Sequence, residues 1–438
     1  MRYDEAATWL FFSSKSVLYS LVSYTLPNNH VLHSILVSIS TFVFGNHPWA
    51  IRLPAFLAGV AMIPLSYAAG KRFYGEDAAL LTAAFVASSS VLVEFSTNAR
   101  GYTIVAAIFL ALIVLAPSPE AEPRAWRRFA VLSAIGFFTI PTMLFPFGVV
   151  VGWLALSIAR ARNTDRADAA KRLARTVLLT IGLVVLAYLP ALLWTGPHAF
   201  FANRYIVSQP WGSWVRAIGP SLGSTWISWN RDLTIAGAAA FLLFFVMGLG
   251  RDKARLVLVT VVWFSALLIV ERWVPFRRVW TFLIPIYWMT VAAGIVFVVR
   301  RQRWAAPLAI ALCLAIGGSV LASGSVLRSQ ETGYFPDAER VVVSLRALGT
   351  GDKVLAYNPA QVPLQYYARL HHETLPLGSP SRTDRRIFIV VDSAIGQTLG
   401  QVALRFARAR FPEGVLAHAT LYKRFAHAAV YVLVRKVS

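Results

Sequence analysis

FAVLSAIGFFTIPTMLFPFGVVVGWLALSIA, residues 129–159, is the stretch whose reading decides the fold. It is too long for one ordinary membrane helix and short for two, and Pro141 and Pro146 stand in its middle. Charge arbitrates between the readings. A single span would put Arg160, Arg162, Arg166, Lys171, Arg172 and Arg175 outside the membrane and reverse every later loop against the positive-inside rule. Two short helices meeting at a proline-marked turn leave that basic cluster inside.

Working outward from this turn, the apolar stretches give ten spans: 53–70, 78–96, 101–116, 129–140, 143–159, 176–194, 233–250, 256–270, 279–299 and 304–323. Several are shorter than the ~20 residues of an untilted span. Reading the loops alternately places Lys71-Arg72, Arg124 to Arg128, Arg160 to Arg175, Arg251 to Arg255 and Arg300 to Arg303 on the inside. The opposite face receives Asp4, Glu5, His30, Arg52, Glu94, Arg100, Arg277 and Arg278. The expectation is a multi-pass protein of the cell inner (plasma) membrane with its chemistry on the extracytoplasmic side.

Composition agrees. The 438 residues are 57% hydrophobic and 14% charged, too apolar for a soluble domain. The net charge of +22 would suggest nucleic acid in a soluble protein. Here most of the excess sits in short loops between spans, so it reads as topology and no nucleic-acid partner is expected. Cys313 is the single cysteine, which excludes an intrachain disulfide and a multi-cysteine metal site. No basic segment followed by a short apolar core marks a signal peptide at the start.

Two regions are not spans. Residues 1–50 form an extracytoplasmic segment whose apolar runs, Trp9 to Leu26 and Val31 to Phe44, are interrupted by Lys15 and the Pro27-Asn28-Asn29-His30 turn. They read as amphipathic helices lying along the membrane surface. The alternative, a true span at Val31 to Phe44, would invert the later loops. Residues 51–328 make the transmembrane helical domain. From 329 to 438 polarity rises and a small extracytoplasmic α/β domain is expected, with helices at 337–348 and 399–411 and strands at 353–357, 387–391 and 428–434. The loop 195–232 interleaves Trp211, Trp214, Trp226 and Trp229 with Arg204, Arg216 and Arg231, which fits an interfacial aromatic belt or contact with a sugar or lipid headgroup.

Three features could carry chemistry. Asp4-Glu5 is an adjacent carboxylate pair on the outer face. Asn98-Ala99-Arg100-Gly101-Tyr102 is a tight turn between two spans, where Arg100 either snorkels or meets a ligand and Gly101 permits close backbone approach. Glu94, inside the preceding apolar run, needs a partner, and Arg100 is the simplest one. Arg277-Arg278 break the charge rule and call for an anion, either Glu271 or a ligand phosphate.

The order of Asp4-Glu5, Pro27-Asn28-Asn29-His30, Gly45, Arg52-Leu53-Pro54, Gly59, Gly70-Lys71-Arg72-Phe73-Tyr74-Gly75 and Ala99-Arg100-Gly101-Tyr102 resembles the membrane glycosyltransferases of the GT-C superfold. The branch is that of protein O-mannosyltransferases, the lipid A aminoarabinose transferase and related bacterial sugar transferases. Arg277 or Arg278 followed by Phe282-Leu283-Ile284-Pro285 resembles its later arginine motif. The resemblance implies transfer of a sugar from a polyprenyl-phosphate donor to an envelope acceptor (lipid, glycan or protein) with inversion at the anomeric carbon. Asp4 would be general base; Glu5 would support it or help hold a divalent metal such as Mg or Mn. Arg100 with Arg277 or Arg278 would hold the donor phosphate, and His30, Arg52, Glu94 and Tyr102 would line the substrate cavity. The chain departs from the family in two places. A transmembrane helix usually precedes the acidic pair, which here follows Met1-Arg2-Tyr3, and Val31-Leu32 follows His30 where many members have Pro-Pro. A transporter or lipid flippase and a non-catalytic envelope assembly protein are the competing readings; no internal repeat favours the first.

Overall fold

The computed structural model describes residues 1–26, 28–161, 165–198, 207–250, 254–299, 304–381, 383–406, 416 and 418–434. Arg162, Arg204, the basic residues of 251–253 and 300–303, and the predicted end of the last helix at 407–411 lie outside them. The chain divides into two compact units. One gathers 1–15, 44–48 and 328–438; the other gathers 16–43 and 49–327.

The helices run in chain order as α1 (Tyr3–Thr8), α2 (Val17–Val22), α3 (Val31–Phe44), α4 (Pro48–Tyr74), α5 (Glu76–Ser88), α6 (Ser90–Ser96), α7 (Tyr102–Val114), α8 (Pro123–Thr139), α9 (Leu144–Arg160) and α10 (Arg166–Thr195). They continue as α11 (Trp211–Trp229), α12 (Ile235–Gly248), α13 (Ala254–Glu271), α14 (Ile284–Val299) and α15 (Ala305–Ser323). Each of the ten apolar stretches predicted from the sequence is helical. Among the described residues five helical segments are long and apolar enough to cross a membrane: 48–74, 141–160, 166–195, 277–299 and 306–323. The pair α5 and α6, bent by 59° at Ser89, makes a sixth if it counts as one span. The stretch 129–159 does break in two. Ile140 takes an extended conformation between α8 and a short 3-10 turn at Pro141–Met143, because a proline there can neither donate the helical hydrogen bond nor accommodate the preceding carbonyl.

Apolar helices packed in a bundle have little to tell one neighbour from another except shape and polar contacts. Shape decides the α12–α14 pair. A Cβ at Gly294 would collide with the Phe244 carbonyl oxygen, and one at Gly248 with the Thr290 carbonyl oxygen, so the backbones touch where glycine stands. Aromatic rings fill the space beside this contact: Phe85 stacks on Trp288 at 5.0 Å and Phe241 meets the same ring edge-on at 5.5 Å.

The smaller unit carries a four-stranded sheet, β1 (Asp352–Ala356), β2 (Arg386–Asp392), β3 (Thr420–Arg424) and β4 (Ala428–Val434), in the order β1-β2-β4-β3. β1 and β2 are parallel, and the other pairs are antiparallel. The parallel register begins at Asp352 opposite Arg386, and the two side chains clamp it with a bidentate pair at 2.8 and 2.6 Å. Helices α16 (Ala338–Ser344), α17 (Gln361–Leu370) and α18 (Leu399–Phe406) accompany the sheet. β3 and α17 are elements the sequence does not announce. Every residue of β3 is exposed, so no alternation of apolar and polar side chains marks it.

Substituting Gly294 by Ala should lower the stability of the detergent-purified protein by ~1–3 kcal/mol through overpacking against the Phe244 carbonyl. Gly182→Ala, where nothing lies within 4 Å of an added Cβ, serves as the control and should be neutral or slightly stabilising. Equal melting temperatures for Gly294→Ala and wild type would contradict the close packing.

Candidate functional site

In the helical unit, the loop before α3 meets the turn before α7. Asn29 anchors the first of these: its Nδ2 donates to the carbonyls of Ser20 and Ser23 at 2.9 and 2.7 Å. That fixes the neighbouring Asn28 and His30. The Gly101 backbone N–H donates to His30 Nδ1 at 2.9 Å, and a Cβ on residue 101 would come within 2.7 Å of Thr139 Cγ2. Glycine is therefore required by close approach. Because Nδ1 accepts, the proton of a neutral His30 ring sits on Nε2, leaving that nitrogen as a donor.

Arg100 is 3% exposed. Its Nη1 donates to Asn28 Oδ1 and, at 3.3 Å, to the Asn28 carbonyl. The guanidinium stands 5.7 Å from the Tyr102 ring centroid, and the His30 ring meets Tyr102 edge-on at 5.1 Å. No carboxylate pairs with Arg100 among the described residues, and its Nε is buried without a partner there. A buried charge in that position is costly until an anion joins it. The snorkelling alternative for Arg100 does not describe a side chain held inward in this way.

His30 is 2% exposed. Burial pushes its imidazole well below the usual histidine range, and the charges of Arg100, His33 and Arg278 add to the effect. His33, one turn into α3 and fully buried, belongs to the same cluster, as do Asn28 and Asn29. The sequence singled out none of these three for a role of its own. The spacing of His30 and His33 at i and i+3 at a helix start was the available signal. Tyr102 is buried between His30, Arg100 and Phe95, the last at 5.5 Å.

The other candidates fall in different places. Arg277 is exposed and Arg278 half-buried on a 3-10 turn, Arg277–Leu283, that leads into α14. Arg278 lies 4.4 Å over the Phe276 ring. Glu271 ends α13 half-buried, and no ion pair joins it to either arginine among the described residues. Arg52 is half-buried in the first turns of α4. Glu94 corrects the expectation that it pairs with Arg100. It is 1% exposed and its Oε2 lies 3.0 Å from Nη1 of Arg231. The longer reach of a residue 137 positions away is invisible to local spacing.

Asp4 and Glu5 belong to the other unit, on α1. The start of the chain is stapled to residues 329–334: Tyr3 N–H donates to the Gly333 carbonyl at 2.8 Å, and the Arg2 guanidinium donates to the Ser329 carbonyl at 3.0 Å and to Thr332 Oγ1 at 3.2 Å. Trp9 packs edge-on against Tyr366 at 5.3 Å. Asp4 is half-buried on this anchored helix, while Glu5 is fully buried with Oε2 accepting the Arg2 amide at 2.8 Å. Glu5 thus closes the helix start. Among the described residues no three His, Cys, Asp or Glu side chains gather as a metal set.

Residues 29–194 match the family model described as dolichyl-phosphate-mannose-protein mannosyltransferase. No curated protein matches the chain. Among solved structures, ArnT from Cupriavidus metallidurans in the apo state is similar at TM-score 0.58 and 14% identity, over 99% of this chain and 93% of that one. The same protein bound to undecaprenyl phosphate is similar at TM-score 0.55 and 14% identity, over 100% and 94% of the two chains. The family match lies on the segment holding His30, Arg52, Glu94, Arg100 and Tyr102, and the structural likeness covers nearly the whole chain. With its helical bundle and its small sheet, the chain shares the fold of ArnT, and its residues 29–194 are similar to the dolichyl-phosphate-mannose-protein mannosyltransferase family.

Proposed function

We propose that the protein is an inverting glycosyltransferase that moves a sugar from a polyprenyl-phosphate donor to an envelope acceptor on the extracytoplasmic face of the inner membrane. The observation that carries this reading is the buried Arg100, which among the described residues has an amide partner and an aromatic neighbour but no carboxylate. An incoming phosphate supplies the missing charge. The likeness to a structure bound to undecaprenyl phosphate supports a polyprenyl phosphate as its source. The loop charges support the extracytoplasmic face.

In this reading the acceptor hydroxyl attacks the anomeric carbon while the bond from that carbon to the phosphate oxygen breaks. The lipid phosphate leaves with the electron pair. Arg100, joined by Arg277 or Arg278, stabilises its growing charge, so no general acid is required. The hydroxyl proton goes to Asp4, as the family resemblance assigns. His30, kept neutral, offers its Nε2–H to a donor oxygen, and Arg52 and Tyr102 line the cavity. Glu5 holds the helix that carries Asp4. A flippase would need the lipid to move intact, and the charge cluster described here is suited to holding a leaving phosphate.

Arg100→Ala should weaken binding of undecaprenyl phosphate by about 100-fold, the scale of a lost charge-assisted bidentate contact, and Arg100→Lys should restore it only in part because an ammonium lacks the guanidinium fork. Unchanged binding by Arg100→Ala in lipid nanodiscs would remove the assignment. For Asp4→Asn the expected result is correct insertion and lipid binding with transfer reduced by ~10²–10⁴, the usual worth of acid-base assistance. Undiminished transfer by this variant would leave the base elsewhere.

The histidine gives a pH test. Its folded-state value lies below the ordinary ~6.5, so the unfolded chain binds a proton that folded His30 refuses as pH falls under that value. The stability it contributes is present above ~6.5 and is lost progressively toward acid. Between pH 7.5 and 5.5, His30→Asn should therefore lose less melting temperature than wild type. An equal or larger loss in the variant would show that His30 is not the group held neutral.

A further inference from the structure

Three of the five residues between α11 and α12, Asn230, Arg231 and Asp232, reach three different helical segments of the same unit. Asn230 Oδ1 accepts from the Tyr287 hydroxyl of α14 at 3.0 Å. Arg231 Nε donates to Ser90 Oγ at 3.0 Å, and its Nη1 pairs with Glu94 Oε2 at 3.0 Å, both on α6. The Asp232 carbonyl and Oδ1 accept from Ser319 and Ser323 of α15 at 2.9 and 3.4 Å. In an apolar bundle, polar contacts of this kind specify which helix sits where.

The Arg231 contact falls on the element whose direction the backbone leaves open. α6 has seven residues, and the 59° bend at Ser89 interrupts the hydrogen-bonded ladder that would align it with α5. Side-chain contacts must then set its tilt. A guanidinium bonded at once to Ser90 and Glu94 grips one face of the helix across a full turn, since i and i+4 stand one above the other. The far end of α6 runs straight into the phosphate turn. Thr97 Oγ1 donates to the Val93 and Glu94 carbonyls at 2.9 and 3.2 Å, and the Arg100 N–H donates to the Asn98 carbonyl at 2.7 Å.

We propose that Arg231, through its double contact with Ser90 and Glu94, is a positioning residue that fixes the tilt of α6 and so the place of the Arg100 guanidinium. Arg231 does not itself touch the phosphate; it acts through Arg100. Glu94 changes meaning accordingly. It is the counter-charge of the positioning arginine, and its burial is explained without a substrate.

This inference rests on the reading of Arg100 as a lipid-phosphate ligand, and a double-mutant cycle separates the two. Binding of undecaprenyl phosphate is measured in nanodiscs for the full chain as wild type, Arg100→Gln, Arg231→Gln and the combined variant, with melting temperatures taken alongside. If Arg231 acts through Arg100, Arg231→Gln alone weakens binding by about tenfold, while adding it to Arg100→Gln changes affinity by less than about twofold. Losses that multiply in the combined variant overturn the proposal, because a residue that merely stabilised the bundle or touched the lipid itself would act independently of Arg100. Wild-type affinity in Arg231→Gln overturns it as well. Where Arg231→Gln does not insert, Ser90→Ala removes one of the two contacts and leaves the ion pair. It should show a smaller loss that likewise vanishes in the Arg100→Gln background, and a loss that persists there counts against the proposal. Absence of binding by wild type overturns the phosphate reading itself, and with it this inference.

Discussion

A guanidinium removed from water must find negative charge, and among the described residues Arg100 meets no carboxylate. The cost of desolvating an arginine amounts to several kcal/mol even after relaxation, and an amide oxygen and an aromatic face recover only part of it. Much of the surrounding architecture holds this side chain in place. Asn28 takes one of its nitrogens, Gly101 is small enough to let the turn approach His30, and Asn29 ties the facing loop to α2. His30 adds no positive charge to the cluster because burial keeps it neutral. In the proposed function this cluster is a preorganised anion site, with donors fixed before the ligand arrives, so that little reorganisation is needed as charge develops on a leaving phosphate.

The polar residues placed in apolar helices divide into two kinds. Those that pair with one another, such as Glu94 with Arg231 and Asn230 with Tyr287, meet a partner on another helical segment of the bundle and determine how helices register. Arg100 meets no carboxylate among the described residues. Burial does not draw this distinction, since Glu94 and Arg100 are about equally buried. On the other unit Glu5 closes a helix start, and Asp4 stands half-buried on the same helix.

Much of the helical fold was legible in the sequence because a bilayer demands runs of apolar residues and punishes misplaced charge. The break at Ile140–Pro141 follows from proline stereochemistry and from the basic cluster beginning at Arg160. The turn at 98–102 was legible for the same reason, as an arginine and a glycine between two apolar runs. The partner of Glu94 was not legible, because an ion pair across 137 residues leaves no periodic trace, and Arg231 reads locally as one more basic residue in a tryptophan-rich loop. The roles of His33, Asn28 and Asn29 were hidden because they depend on a loop folding onto a turn some 70 residues away. In the sheet unit, β3 escaped because an exposed edge strand needs no apolar alternation.

The central claim is that the buried arginine turn serves sugar transfer from a lipid phosphate. The most direct measurement incubates the purified protein, folded in nanodiscs and showing a cooperative melting transition, with a panel of polyprenyl-phosphate sugars and an envelope lipid extract as acceptor. The products are read by mass spectrometry. Release of free polyprenyl phosphate from one donor, with the sugar recovered on an acceptor, is the predicted result. Folded protein that binds these lipids yet leaves every donor intact would contradict it.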